Sequence, residues 1–386
     1  EAQAREAQIE AALERIRARA LAMHKSDEFT EVAKVMREQM GLLGQPELET
    51  SAVHLYDEDP DYILSWRAFR LSSDLVGEIS FGFFRIPKNS CTIARTFVQK
   101  FKSEASAYSI EVSGAEQTEW YKILFKLAPE VHEAMKKSGT TKEKRYYYFS
   151  KFTGGALLMV TSKEPATDTM ELQKRSALVF DLAYRRFKDL QKAEAQAREA
   201  QIEAALEKVR SRSLAMQKPG ELTEVAELLR KEMGQLGVEE LETSSIYIVD
   251  KENKQAECWY AIKDVREENK QLISDEMTIT FADTWVGSEM GKFYRAKKEH
   301  SSIVMKGDIR KEWINYCAGK SKVLQGYYGD DIPERTYHLV KFNGGYMGAA
   351  SPGAISAESW DLLRRAASVF SLAYTRFKDL QDAAER

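Results

Sequence analysis

The side chains able to do chemistry are few and scattered. There are five histidines, His24, His54, His132, His300 and His338, and three cysteines, Cys91, Cys258 and Cys317. No two histidines stand at i, i+4 and no cysteine lies near a histidine, so no metal-ligand spacing is present. The same isolation removes the Cys-His and Cys-X-X-Cys pairs that activate a thiol. An odd cysteine count without a framework reads as free thiols in a reducing compartment, and a cytoplasmic location is expected. Gly154-Gly155 and Gly344-Gly345 are not phosphate loops. Such a loop ends in Lys-Ser or Lys-Thr and enters a helix, whereas a strand pattern follows both pairs. No convergent acid, base and nucleophile stand out, so the sequence is read as non-enzymatic.

Binding chemistry remains. Trp66, Trp120 and Tyr147 recur further along as Trp259, Trp313 and Tyr337, and Trp285 stands alone. Such residues offer apolar area with one polar handle, which suits a planar small ligand and equally suits a packed core. His54, whose counterpart is Tyr247, and His338 fall in strand patterns on faces that could line a pocket or simply satisfy a sheet histidine. These ten residues are the ligand-pocket candidates; none of them specifies a cofactor or a metal. Lys297-Lys298 and Arg310-Lys311 could meet an anion, but charge pairs on exposed loops usually serve solubility.

The elements that must position these residues come as a repeat. Glu1 to His24 and Glu194 to Gln217 differ at only five of 24 paired positions. The same offset joins Leu48-Glu49-Thr50-Ser51 to Leu241-Glu242-Thr243-Ser244 and Glu119-Trp120 to Glu312-Trp313. It shortens by three residues before Lys151-Phe152-Thr153-Gly154-Gly155 and Lys341-Phe342-Asn343-Gly344-Gly345. Both copies close alike, with FDLAYRRFKDLQ (180–191) and FSLAYTRFKDLQ (370–381). The middle third of each copy has drifted, which reads either as two pockets with different ligands or as tolerant loops.

Ile9, Leu13, Ile16, Ala20 and Met23 are spaced 4, 3, 4, 3, and Ile202, Leu206, Val209, Ser213 and Met216 repeat the pattern. Two apolar positions per heptad with charged flanks predict a helix paired with another helix, or a single surface helix with a short stripe. Ile9, Leu13, Ile16, Met23, Ile202, Leu206, Val209 and Met216 are the candidate dimer seam. A second helix runs through Val32 and Met36 and through Val225 and Leu229. Strands follow over 51–57 and 244–250 and over 256–262, then hairpins over 145–161 and 335–351. From Ala166 to Lys218 there is neither Gly nor Pro; if wholly helical this stretch spans roughly 80 Å, with a kink possible near Lys192.

The reading is α+β, two domains each with an antiparallel sheet: a lead-in coiled-coil helix over 1–25, one domain over 26–191, a second over 219–381, a connecting helix over 166–218 that overlaps the end of the first and runs up to the second, and an exit over 382–386. A net charge of −3 asks for no nucleic acid or acidic membrane, and no run of about 18 apolar residues exists to span a bilayer.

The segments AQIEAALERIRARALAM, LGVEELETSSIYIVD and YHLVKFNGGYMGAAS, in this order of elements, resemble tandem GAF domains as found in the input regions of bacterial sensor histidine kinases. The resemblance is architectural and covers nearly the whole chain twice. It implies an antiparallel sheet with helices on one face, a ligand pocket on the other, and homodimerisation through long helices that carry a signal to an output domain beyond Arg386. Some members instead hold filled pockets and act as dimerisation scaffolds, which is the alternative. Bilin attachment in such domains needs a suitably placed Cys, often followed by His; here Thr92, Trp259 and Ala318 follow the cysteines.

Overall fold

The computed structural model describes residues 2–25, 28–43, 48–70, 79–238, 241–252, 254–264 and 271–384. It divides into two units, 1–195 and 196–386. The expected boundary at residue 26 and the last two residues of the expected exit lie outside the described set.

In unit 1, α1 (Ala2–Leu21) and α2 (Phe29–Leu42) precede β1 (Leu48–Leu55), β2 (Tyr62–Arg70) and β3 (Ile79–Pro87). Then come α3 (Thr92–Lys102), β4 (Ala107–Val112), α4 (Gly114–Leu127), α5 (Pro129–Ser138), β5 (Arg145–Phe152) and β6 (Gly155–Thr161). A 48-residue helix, α6 (Thr167–Leu214), closes unit 1 and opens unit 2. Unit 2 continues with α7 (Leu222–Gln235), β7 (Thr243–Asp250), β8 (Gln255–Lys263), β9 (Leu272–Thr280) and α8 (Trp285–Arg295). It ends with β10 (His300–Met305), α9 (Gly307–Lys320), β11 (Arg335–Phe342), β12 (Gly345–Ser351) and α10 (Ala357–Ala384). Each unit holds a six-stranded sheet, ordered β3-β2-β1-β6-β5-β4 and β9-β8-β7-β12-β11-β10, with antiparallel pairing between neighbouring strands. The architecture is α+β.

Both faces of each sheet carry helices. In unit 1 the long helices cover one face: Leu13, Ile16, Ala20 and Met23 pack with Val32, Met36, Val53, Leu157, Phe180 and Phe187. The 4, 3 spacing thus produces a helix-on-helix stripe, and the partner helices belong to the same unit. Unit 2 repeats this with Ile202, Leu206, Val209 and Met216 against Val225, Leu229, Leu363 and Phe370. The short helices cover the opposite face, α3, α4 and α5 in unit 1 and α8 and α9 in unit 2.

Two devices from the shared sequence set the frame. Gly154 and Gly344 turn the hairpins with φ of +78° and +97°, a region glycine enters without penalty. Their followers, Gly155 and Gly345, pass so close to the neighbouring strand that a Cβ would stand 2.2 Å from the His54 carbonyl oxygen and 1.8 Å from that of Tyr247. The Glu-Trp pairs divide their labour. Glu119 accepts the Thr92 N–H at the start of α3 (3.2 Å) and Glu312 the Trp285 N–H at the start of α8 (3.1 Å), where a helix offers unpaired donors. Trp120 and Trp313 turn inward and are fully buried.

Candidate functional site

Strand alternation sends neighbouring side chains to opposite faces of a sheet, and this sorts the aromatic candidates into two groups. Trp120 and Tyr147 meet on the short-helix face of unit 1, where the indole N–H donates to the Tyr147 hydroxyl at 2.9 Å. Trp313 and Tyr337 form the same bond at 3.2 Å in unit 2. Tyr247 joins them, stacked on Tyr346 at 4.6 Å. Trp66 and Trp259 lie on the long-helix faces instead. Trp66 tilts against Phe83 at 4.9 Å, and with Met36 and Phe81 it lines a cavity of about 180 Å³. The Trp259 indole donates to Glu276 at 2.8 Å. Trp285 is the first residue of α8 and stands 43% exposed.

The two histidines also part. His338 faces the α10 side, within hydrogen-bond distance of the Ser302 and Ser351 hydroxyls (3.0 and 2.8 Å) and edge-on to Trp360. His54 lies on the short-helix face among Phe97, Phe149 and Tyr56. Its Nδ1 stands 3.4 Å from the Tyr56 hydroxyl, while its Nε2 is buried and has no partner among the described residues. Burial first, and the charge of Arg67 second, hold the imidazole well below its ordinary value, so it is neutral.

Arg67 was not among the sequence candidates, yet it is the most unusual residue on this face. It is 4% exposed and its Nε donates to the Ser65 hydroxyl at 2.8 Å. One terminal nitrogen, Nη2, is buried without a partner among the described residues. Its guanidinium sits 5.5 Å from the Trp120 ring and 5.9 Å from Phe84. Among the described residues no carboxylate forms an ion pair with it. Desolvation pushes it down to about 10, so it keeps its charge at neutral pH. The surrounding phenols Tyr56, Tyr108 and Tyr147 are all raised by burial and remain protonated donors.

Unit 2 presents different chemistry at the same place. At the repeat offset Tyr260 stands for Arg67 and Tyr247 for His54. Tyr260 is hydrogen-bonded to the Ser321 hydroxyl at 2.6 Å. A cavity of about 20 Å³ remains between Tyr247, Tyr260, Tyr328 and Cys317, the room of a single water. The buried charge here belongs to Arg310, which donates to Glu242 (3.1 Å) and to the Tyr328 hydroxyl (3.1 Å). Unit 1 keeps the corresponding carboxylate, Glu49, on Arg145 at 2.6 Å, while Gln117 stands for Arg310.

The cysteines are all buried. Cys91 accepts from the Ala94 N–H and caps α3 as Thr284 caps α8, a structural use of sulfur. Burial pushes the Cys258 and Cys317 thiols up, away from reactivity. Among the described residues there is no group of three or more His, Cys, Asp or Glu side chains placed to hold a metal, and no helix long and apolar enough to cross a membrane.

No sequence model of a known family matches the chain, and no curated protein matches it. Among solved structures, the bacteriophytochrome RpBphP3 from the photosynthetic bacterium R. palustris is 10% identical, with a TM-score of 0.35, over 89% of this chain. The match takes in 63% of that protein, so the chain spans less than two thirds of its length.

Proposed function

We propose that the chain is a tandem GAF-like signal-input module without catalytic activity, in which the short-helix face of each sheet is the ligand-facing site. One observation carries this reading. The two units keep the same frame, down to Glu-Trp pair and Gly-Gly hairpin, while the buried polar groups behind the short helices are exchanged, His54 and Arg67 for Tyr247 and Tyr260. Side chains that only filled a core would have no reason to replace a phenol by a charged guanidinium, since burying an uncompensated charge is costly. The long helices on the other face would carry the change onward, provided the ligand prefers one of their arrangements over another. Homodimerisation fits the exposed leucines of these helices, Leu178 and Leu182 on α6 and Leu372 and Leu380 on α10.

The second reading, a dimerisation scaffold with filled faces, draws on Trp120 and Trp313, which are fully buried, and on the 20 Å³ void of unit 2. Native mass spectrometry of the purified chain separates the two. A dimer with a copurified small molecule supports the sensor. A dimer that stays empty with every added metabolite supports the scaffold, and a monomer at micromolar concentration defeats the dimeric part of both.

A further inference from the structure

The group that most needs explaining is the guanidinium of Arg67. Among the described residues the other deeply buried guanidiniums have a carboxylate: Arg145 has Glu49, and Arg310 has Glu242. Arg67 has, among the described residues, a serine hydroxyl, two aromatic faces and an unpartnered Nη2. Around it, the phenols Tyr56 and Tyr147 and the imidazole of His54 are close enough for its charge to act on each. Among the described residues the neutral imidazole has a spare ring nitrogen. The Tyr147 hydroxyl accepts from Trp120, which leaves its own proton to donate elsewhere. The cluster is therefore one positive charge among neutral hydrogen-bond donors, with no negative charge bound to it by the described residues.

We infer that unit 1 binds a small organic carboxylate on its short-helix face, with Arg67 as its anchor. This rests on the reading of that face as a ligand site. A guanidinium presents two parallel N–H donors that match the two oxygens of a carboxylate, and the anion supplies the charge that Arg67 lacks. In the tautomer protonated at Nε2, His54 accepts the Tyr56 O–H at Nδ1, and its own N–H and the Tyr147 hydroxyl are the donors left for the same oxygens. A compact ligand is required, because the face is closed by Phe97, Trp120 and Phe149 and the anion must fit among them. Unit 2, with Tyr260 in place of Arg67, has no such anchor and does not bind the carboxylate.

The test is calorimetric titration of the full chain with acetate, propionate and benzoate at constant ionic strength, with inorganic phosphate and chloride as separate arms. The expected result is saturable binding of at least one carboxylate at one site per chain. Arg67→Met should weaken it by about ten-fold or more, the scale of one lost charged hydrogen bond. Arg67→Lys, which keeps the charge and loses the fork, should fall between and serves if the methionine variant does not fold. Absence of binding by all three carboxylates overturns the inference. So does undiminished binding by the variants, or phosphate or chloride binding as tightly at Arg67. The two readings fail separately. A neutral copurified ligand without carboxylate binding removes the inference and leaves the sensor. Carboxylate binding that changes nothing in helix association removes the sensor and leaves the inference.

Discussion

Arg310 donates to Glu242 across 3.1 Å with the two side chains 1% and 10% exposed, and Arg335 shares the same carboxylate. One acidic residue thus compensates two cations. Replacing Glu242 by Gln strands a buried guanidinium, and removing one partner of a buried pair costs about 3–5 kcal/mol. Glu49 is 39% exposed, and Arg145 keeps carbonyl acceptors on Glu143 and Lys144. Glu49→Gln should therefore cost clearly less. Denaturant unfolding of the two variants checks this, and an equal loss would refute the assignment of Glu242 as a shared counter-charge.

The hairpin glycines give a second comparison. A methyl group at Gly155 or Gly345 would meet a neighbouring backbone carbonyl at 2.2 or 1.8 Å, and backbone cannot step aside as a flexible side chain does. Each Gly→Ala change should lower stability by about 2 kcal/mol or more, within the range for overpacking. Glycine at 353 has open space where a Cβ would stand, so Gly353→Ala is the matched control and should be near neutral. Thermal unfolding of the three variants reads this directly.

His54 predicts a pH dependence. In the folded chain its imidazole is held well below the ordinary 6.5 by burial and by Arg67, with the neutral phenol of Tyr56 at hydrogen-bond distance. Below that value the unfolded chain takes up a proton that the folded chain refuses. Stability should therefore fall as pH drops below about 6.5, by up to about 1.4 kcal/mol per pH unit from this group. His54→Phe should flatten that part of the curve. A variant with the same slope as the parent between pH 6.5 and 5 would show that His54 is not the source.

The helices allow a test of where association resides. Leu13 and Leu206 are buried among helices of their own units, whereas Leu372 is 74% exposed on α10. Leu13→Glu should unfold unit 1. Leu372→Glu should leave the circular dichroism intact and, if α10 forms the proposed contact between copies, shift sedimentation from dimer to monomer. Loss of fold in the Leu372 variant would contradict its exposed placement.

These contrasts also show what a single sequence makes legible. The repeat, the Gly-Gly hairpins and the long helices could be read because their jobs are local: a turn needs glycine, a helix needs its apolar stripe. The stripe does not name its partner, and Ile16 packs as well on the chain's own helices as on another copy's. Arg67 was missed because β2 is covered on both faces. There the period of two no longer separates apolar from polar, and Trp66-Arg67 reads as an ordinary strand pair. The signal lay in comparing the copies, where position 67 and position 260 hold an arginine and a tyrosine.

The near identity of the segments 1–24 and 194–217 has one more consequence, for the way the chain reaches its fold. Each lies in a bed of matching design. Arg5 donates to the Leu43 carbonyl at 2.6 Å and Arg198 to that of Leu236 at 2.5 Å. Arg175 clasps Glu6 and Glu10, and Arg365 clasps Glu199 and Glu203. Each segment therefore meets the same kinds of polar partner in its own bed, and the bed of the other copy offers a matching set. A helix settled in the wrong berth leaves the right one open to a stranger, which is how duplicated proteins come to trade parts at high concentration. The few positions where the segments differ, Arg15 and Lys208 beside Gln39 and Glu232 among them, are what tells one berth from the other.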